Sequence, residues 1–287
     1  MGLGVALAGG GLKSVAHIGC LKAFEELGLK IDYISGTSAG SMIAVMYALG
    51  YTMEETKELI EEYYSTLTNI DKKKVAKAIT GFMLKNKVEV EGLIQGEKIE
   101  ELVNKYAAAK GVRNISDITM PFAVATVDTI STHECICISK DYGLQNEDIE
   151  YITDIPIGKA VRASMAFSGI FTTCDFDKYN FIDGGTKDNL PTRILKDMGA
   201  TEVIGINFKF DPYTPKGNML EVLLRTVDIY SIKDIIEGQK WADLSIEVDV
   251  RGTSLLTIDD VDKCYNSGYS TIMENKEKIC GLLSIKK

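Results

Sequence analysis

The spacing of apolar residues changes from one segment of the chain to the next. Short runs dense in apolar residues predict buried β-strands, and they lie at 3–8, 31–35, 122–127, 135–139, 179–182, 202–209 and 244–250. Longer segments with helical spacing or helix-start signals predict helices, and they lie at 14–27, 39–50, 52–66, 157–167, 219–241 and 259–283. Strands and helices therefore alternate along most of the sequence.

This alternation predicts a three-layer α/β/α fold, with a mostly parallel central sheet between two layers of helices. The region of about 52–115 is helical and charged and contains no strand-like run, so we expect a helical cap or lid there. The chain has no linker-like tract and no internal repeat, which favours a single domain over 1–287. In such sheets the active site lies beyond the carboxyl ends of the strands.

Composition and charge exclude several classes of protein. The net charge of −9 argues against nucleic acid as a main partner, because phosphate binding depends on clustered Lys and Arg. The short apolar start has no basic residues before it, so we do not expect it to be a signal peptide, and no apolar run reaches the ~18 residues of a membrane span. We therefore expect a cytoplasmic protein. The six cysteines lack metal-ligand spacing and are expected to be reduced and buried, without a metal.

A serine between two glycines follows the second predicted strand. Gly36-x-Ser38-x-Gly40 has the spacing of a nucleophile elbow, a sharp strand-to-helix turn that exposes a serine hydroxyl. The same residues also suit an ordinary turn in which Ser38 caps the following helix. The preceding strand and a helix that starts with small residues favour the nucleophile, because the positive end of a helix dipole stabilises an alkoxide.

A second glycine-rich turn, Gly9-Gly10-Gly11-Leu12-Lys13, follows the first predicted strand. The third glycine of a dinucleotide-binding fingerprint is missing, and the lysine has the wrong spacing for a phosphate loop. Consecutive glycines at a strand end leave backbone N–H groups uncovered, as an oxyanion hole requires. A structural tight turn is the remaining alternative.

The two histidines do not suit a Ser-His-Asp triad. An ordinary α/β hydrolase needs a histidine near its C-terminus, and no histidine follows His133. Ser38 also comes after only two strands, which is too early for that fold. His17, on the first predicted helix, is expected to be a packed, hydrogen-bonded core residue.

Asp183 is the candidate base for Ser38. It ends the strand at 179–182, so we expect its carboxylate at the same edge of the sheet as the serine. The alternative is an Asp-Gly turn, since Gly184 and Gly185 follow. A carboxylate with an ordinary pKa near ~4 is a weak base at neutral pH, but burial and a direct hydrogen bond to the hydroxyl would let it serve.

The glycine turn at 9–13, the serine elbow at 36–40 and the Asp-Gly-Gly at 183–185 come in this order along the chain. Together these three motifs resemble those of the patatin-like phospholipases, lipid acyl hydrolases with a serine–aspartate dyad. A further stretch, ASMAFSGIF at 163–171, resembles the family's segment before the aspartate. The resemblance extends over about residues 3–210. It implies Ser38 as nucleophile and Asp183 as base, a phospholipid or another lipid ester as substrate, and no metal or organic cofactor.

The resemblance also assigns the remaining motif residues. It implies an oxyanion hole formed by the backbone N–H groups of Gly10, Gly11 and Leu12, with Lys13 at the family's basic position. The glycines that support the three motifs are Gly9, Gly36, Gly40, Gly184 and Gly185.

Two alternatives and one surface hypothesis stay open. Acyl transfer to an acceptor other than water fits the same motifs, and a phosphate- or nucleotide-binding module using the Gly9–Lys13 loop would leave Ser38 as a turn residue.

Residues 72–87 carry six lysines and no acid. This segment suits a lid or interfacial segment that docks on anionic lipid, or equally a solvated helix that covers the core. No feature fixes the oligomeric state.

Overall fold

The computed structural model describes residues 2–67, 96–210, 219–253 and 260–284. The strands in chain order are β1 Leu3–Leu7, β2 Tyr33–Thr37, β3 Phe122–Asp128, β4 Glu134–Ile138, β5 Ile149–Ile152, β6 Cys174–Phe176, β7 Tyr179–Asp183, β8 Glu202–Phe208 and β9 Leu244–Val248. The α-helices are α1 Val15–Glu26, α2 Ala39–Ala48, α3 Met53–Leu67, α4 Glu97–Ala109, α5 Ile157–Ser164, α6 Thr192–Asp197, α7 Met219–Trp241, α8 Val261–Glu274 and α9 Lys276–Ser284.

The described strands form one sheet, whose main path runs β5-β4-β3-β2-β1-β8-β9. Pairing is parallel from β3 through β2, β1 and β8 to β9. It is antiparallel where β4 and β7 meet β3. The prediction of a mostly parallel sheet flanked by helices is therefore confirmed.

The central strand β1 shows why helices cover both faces of the sheet. Successive side chains of a strand point to opposite faces. Val5 and Leu7 belong to the large core that includes residues of α1 and α2, whereas Ala6 packs with Leu195 of α6 and Ile235 of α7. Each face of the sheet thus buries its own apolar layer, which gives the three-layer architecture.

Three details of the fold differ from the predicted elements. The apolar spacing does not reveal β5, which is half-exposed along most of its length, or β6, which has only three residues. The helix predicted at 259–283 is divided into α8 and α9 at Asn275, whose side-chain amide donates to the carbonyl of Thr271.

Helix α3 begins with a capping box. The Glu55 N–H donates to Thr52 Oγ1 at 3.2 Å, and the Thr52 N–H donates to Glu55 Oε2 at 2.8 Å. Helices α3 and α4 lie within the predicted cap, but the lysine-rich segment 72–87 lies outside the described residues, so its lid role stays a prediction. In the described part of the chain, no helix combines the length and apolarity needed to cross a membrane.

Asp183 reaches Ser38 by a different route from the predicted one. The sequence suggested a strand that ends at the common carboxyl edge, but β7 is antiparallel to β3 and runs inward from that edge. Strand β2 pairs with β3 as far as Thr37 opposite Ala125, and β7 takes the next position with Asp183 opposite Thr126. Since β4 occupies the other side of β3 at this level, β2 and β7 meet end to end on one side of β3.

Candidate active site

Ser38 lies in a tight turn with a strained backbone. Its φ of 52° and ψ of −131° are rare for any residue other than glycine. A Cβ atom on Gly36 would stand 2.6 Å from the Gly40 carbonyl oxygen, and a Cβ atom on Gly40 would stand 2.6 Å from the Ala8 carbonyl oxygen. The two glycines therefore let β1, β2 and α2 approach closely enough to form the elbow that their spacing suggests.

The hydroxyl of Ser38 contacts a buried carboxylate. Ser38 Oγ donates a hydrogen bond to Asp183 Oδ2 at 2.6 Å. The aspartate is 4% exposed, and its Oδ1 accepts the Gly185 N–H at 2.8 Å. Burial raises the pKa of Asp183 to about 6, although the hydrogen bonds from Ser38 and Gly185 lower it. Asp183 is thus a stronger base than an exposed carboxylate and is already in contact with the serine proton.

The glycines after Asp183 shape the turn that holds it. A Cβ atom on Gly184 would stand 2.2 Å from the Ala125 carbonyl oxygen of β3, so only glycine lets this turn lie against the sheet. The Asp183 N–H donates to the Ala166 carbonyl at 3.1 Å. Both the backbone and the carboxylate of the aspartate are therefore fixed by hydrogen bonds.

The glycine turn after β1 packs directly on the elbow. A Cβ atom on Gly9 would stand 3.0 Å from the Ser38 Cβ, and the Gly9 N–H donates to the Asn189 carbonyl at 3.2 Å. Gly11 has a φ of 57°, in the left-handed region that favours glycine. It begins a short 3₁₀ helix, Gly11–Ser14, beside the serine.

Three backbone donors of this turn differ in exposure: Gly10 and Gly11 are half-buried, and Leu12 is fully buried. The N–H groups of Gly10, Gly11 and Leu12 donate to no acceptor among the residues that the structure describes. The Lys13 N–H closes the turn by donating to the Gly10 carbonyl at 3.2 Å. The Lys13 side chain is half-buried in the same turn. Free N–H groups next to a nucleophile suit an oxyanion hole, and that role stays a prediction.

His17 is a core residue, as expected from the sequence. It is fully buried, and because a carbonyl can only accept, its Nε2 carries the proton that bonds to the Ala8 carbonyl at 2.8 Å. Burial lowers the pKa of His17 to about 4, against this hydrogen bond, which raises it. The ring packs on Phe208, with centroids 4.7 Å apart. The histidine thus supports the strand before the glycine turn, while half-buried His133 lies at the end of the β3–β4 hairpin.

Two residues that the motifs do not identify also contact the site. Ser164, the last residue of α5, accepts the Ser38 N–H on its Oγ at 2.8 Å. The Asn189 side-chain oxygen lies against both Gly9 and Gly185. Ser164 falls within the stretch 163–171, but only the folded chain shows its contact with the nucleophile, because the two serines are 126 positions apart.

The side chains that could bind a metal ion are mainly those of the cysteines and acidic residues. Among the described residues, no group of three or more His, Cys, Asp or Glu side chains is placed to hold a metal ion. None of the six cysteines, all of which lie among the described residues, forms a disulfide, and burial raises the pKa of Cys20 and Cys137 well above the usual range of a thiol. Cys280 is exposed on α9, which corrects the expectation that all six are buried.

The strain at the elbow predicts an unusual order of stability. Ser38→Gly and Ser38→Ala both remove the hydroxyl, but only glycine adopts a φ of 52° freely. We expect the glycine variant to have the larger free energy of unfolding by about 1 kcal/mol, because strain relief outweighs the added chain entropy. At Ser41, inside helix α2, the order should reverse. Urea unfolding of the four variants checks both orders, and an alanine variant at 38 as stable as the glycine variant would contradict the strain.

The buried neutral His17 predicts a pH-dependent effect of its replacement. Below pH ~6.5 the histidine of the unfolded chain is protonated, whereas the folded histidine stays neutral down to about pH 4. Wild-type stability therefore decreases as the pH is lowered through this range. Gln at position 17 keeps an N–H donor but does not titrate. Relative to wild type, His17→Gln should therefore gain up to roughly 3 kcal/mol between pH 7 and pH 4. Urea unfolding at several pH values tests this, and a pH-independent difference would contradict it.

The fold and the site together define a class of α/β protein with a serine elbow that faces a buried aspartate. The family model described as "Patatin-like phospholipase" matches residues 5–196. The chain therefore belongs to the patatin-like phospholipase family, as its motifs suggested.

Individual relatives agree with this assignment. The chain is 30% identical over 207 residues to "Patatin-like phospholipase domain-containing protein 6" of Mus musculus, and the aligned residues cover 71% of this chain and 13% of that protein. It is 27% identical over 216 residues to "Lysophospholipase NTE1" of Coccidioides immitis, and the aligned residues cover 75% of this chain and 12% of that protein. The chain thus spans about an eighth of these two relatives.

A solved structure has the same fold. VipD from Legionella pneumophila is 15% identical, with a TM-score of 0.52, over 95% of this chain and 66% of that one. At this level of identity the likeness concerns the fold alone.

Proposed function

We propose that the protein is a serine lipid acyl hydrolase, a carboxylic ester hydrolase that acts on phospholipids, lysophospholipids or related lipid esters. The observation that carries the proposal is the 2.6 Å hydrogen bond from Ser38 Oγ to the buried Asp183 Oδ2. It supplies a nucleophile in direct contact with its base, which is the requirement for covalent catalysis. Membership of the patatin-like phospholipase family supports lipid esters as the substrate class.

In the first half-reaction, Ser38 Oγ attacks the ester carbonyl carbon while its proton passes to Asp183 Oδ2. The carbonyl oxygen becomes an oxyanion, which the N–H groups of Gly10, Gly11 and Leu12 are proposed to stabilise. The tetrahedral intermediate then collapses, the bond to the alcohol oxygen breaks, and Asp183 returns the proton to this leaving group. An acyl-enzyme on Ser38 remains.

In the second half-reaction, water replaces the alcohol. Asp183 accepts a proton from the water while the water oxygen attacks the acyl carbon. The same carboxyl group then returns a proton to Ser38 Oγ as the fatty acid leaves. Asp183 must be ionised to begin each half-reaction. With its pKa raised by burial to about 6, the rate should increase as the pH rises through this value.

A lipid-class screen tests the proposal. Purified wild type and Ser38→Ala are incubated in parallel with vesicles or micelles of lysophosphatidylcholine, phosphatidylcholine and triacylglycerol, and released fatty acid is measured by mass spectrometry. We expect release from at least one class by wild type and none by the variant. Equal background release by both proteins from all classes would overturn the proposal.

The same screen separates the two alternatives. With added lysophospholipid as acceptor, an acyltransferase would form diacyl product instead of free fatty acid, again only with Ser38 present. A phosphate- or nucleotide-binding module would form neither product.

A further inference from the structure

A single buried hydroxyl connects the nucleophile turn to the central sheet. Ser164 Oγ accepts the Ser38 N–H at 2.8 Å and donates its own proton to the Ala125 carbonyl of β3 at 2.7 Å. Ser164 is fully buried, so water does not replace either contact. The hydroxyl uses both its donor and an acceptor site, which fixes its rotamer.

This hydroxyl lies where the pairing between two strands ends. The last pair of β2 and β3 is Thr37 opposite Ala125, and β7 takes over at Thr126. Ser38 therefore has no further strand position on β3 for its N–H. Ser164 bridges this N–H to the last paired carbonyl of β3, so the elbow stays attached to the sheet while its backbone turns away.

The same end of α5 also holds the other member of the dyad. Two residues after Ser164, the Ala166 carbonyl accepts the Asp183 N–H at 3.1 Å. One short segment thus sets the backbone of both Ser38 and Asp183. A small shift of this segment would change the distance between Oγ and Oδ2, on which proton transfer depends.

We propose that Ser164 is a positioning residue, whose hydroxyl holds the strained Ser38 backbone so that the serine oxygen stays on Asp183. The inference rests on the proposed function only for its kinetic consequence. In this arrangement the Ser38 N–H is hydrogen-bonded to Ser164 and does not contact the oxyanion. Stabilisation of the oxyanion then depends on the N–H groups of the glycine turn at Gly10–Leu12.

The chain offers a matched control in Ser139. Its buried hydroxyl makes the same pair of contacts elsewhere in the sheet, accepting the Phe122 N–H and donating to the Met120 carbonyl, each at 3.0 Å. Ser139→Ala and Ser164→Ala each remove one hydroxyl that bridges a backbone N–H to a carbonyl. A loss of stability alone should therefore affect both variants alike, whereas a positioning role concerns Ser164 only.

The test combines kinetics with amide exchange. We expect Ser164→Ala to lower kcat by about 10- to 100-fold with KM unchanged, because the nucleophile is displaced while the substrate site is intact. Ser139→Ala should keep wild-type kcat, and Ser164→Cys, with a weaker acceptor of similar size, should fall between wild type and alanine. Equal kcat in Ser164→Ala and Ser139→Ala would overturn the proposal.

Amide exchange reports on the same hydrogen bond without activity. By hydrogen–deuterium exchange and mass spectrometry, the peptide that contains Ser38 should exchange faster in Ser164→Ala, and in Ser164→Cys if the alanine variant does not fold. In Ser139→Ala it should match wild type. If wild type hydrolyses no lipid ester, the proposed function fails, and the exchange result alone decides whether Ser164 holds the elbow. Unchanged exchange in both Ser164 variants would refute that role.

Discussion

Ser38→Ala is expected to abolish ester hydrolysis while the protein still binds its lipid substrate. The hydroxyl that contacts Asp183 Oδ2 is the group proposed to form the acyl-enzyme. Without it no covalent intermediate forms, and kcat should fall by about 10⁴-fold or more, as for other enzymes that lose their nucleophile. Steady-state release of fatty acid measures the rate, and vesicle co-sedimentation measures binding.

A buried serine outside the site provides the control for this substitution. Ser139→Ala also removes a hydrogen-bonded serine hydroxyl, from a residue more deeply buried than Ser38, and should leave turnover at the wild-type level. If Ser38→Ala kept a substantial fraction of wild-type kcat, another residue would be the nucleophile.

Asp183→Asn is expected to remove activity and at the same time to stabilise the fold. Asparagine nearly matches the shape of the aspartate and can still accept the Gly185 N–H, but it cannot take a proton from Ser38. The loss of kcat should be on the order of 10³-fold or more, because the serine then has no base.

The stability gain follows from the raised pKa of Asp183. From about pH 4 to about pH 6 the folded carboxyl keeps a proton that the unfolded chain has lost, so wild-type stability falls as the pH rises. Above this range the buried anion costs up to about 3 kcal/mol, which the neutral asparagine avoids. Urea unfolding at pH 4, 6 and 8 should show a gain for Asp183→Asn that grows with pH and levels off above pH 6.

Asp128 offers a control of the opposite sign. It is 2% exposed, and burial raises its pKa, but hydrogen bonds from Asn180 and Ser131 outweigh this effect and leave the pKa below its usual value. Asp128→Asn should therefore destabilise the protein above pH 4 and keep its activity. A destabilised Asp183→Asn variant would contradict the account of a functional carboxylate held at an energetic cost.

Much of this site is encoded in short, local patterns. The Gly36-x-Ser38-x-Gly40 spacing implies the elbow because each glycine is required by backbone atoms within 3 Å of where its Cβ would lie. The apolar spacing locates most strands and helices, since buried runs and amphipathic faces follow directly from the two layers of core. The fully buried position of His17 also follows from its place on an apolar helix.

Long-range relations are not encoded locally. The pairing direction of β7 depends on which side of β3 is free after β2 ends, and the residues of 179–183 do not by themselves determine that direction. The strand's short, half-exposed sequence is compatible with either direction. For the same reason Ser164 is recognisable as a contact of Ser38 only after α5 has packed beside β3.

The central claim is that Asp183 activates Ser38 directly. The most direct test is peptide mapping by mass spectrometry after timed reaction with a fluorophosphonate, which traps an activated serine. Wild type should carry one adduct, on Ser38, and Asp183→Asn should react at most at a small fraction of the wild-type rate. An adduct on a different serine, or an Asp183→Asn variant that labels Ser38 as fast as wild type, would contradict the dyad.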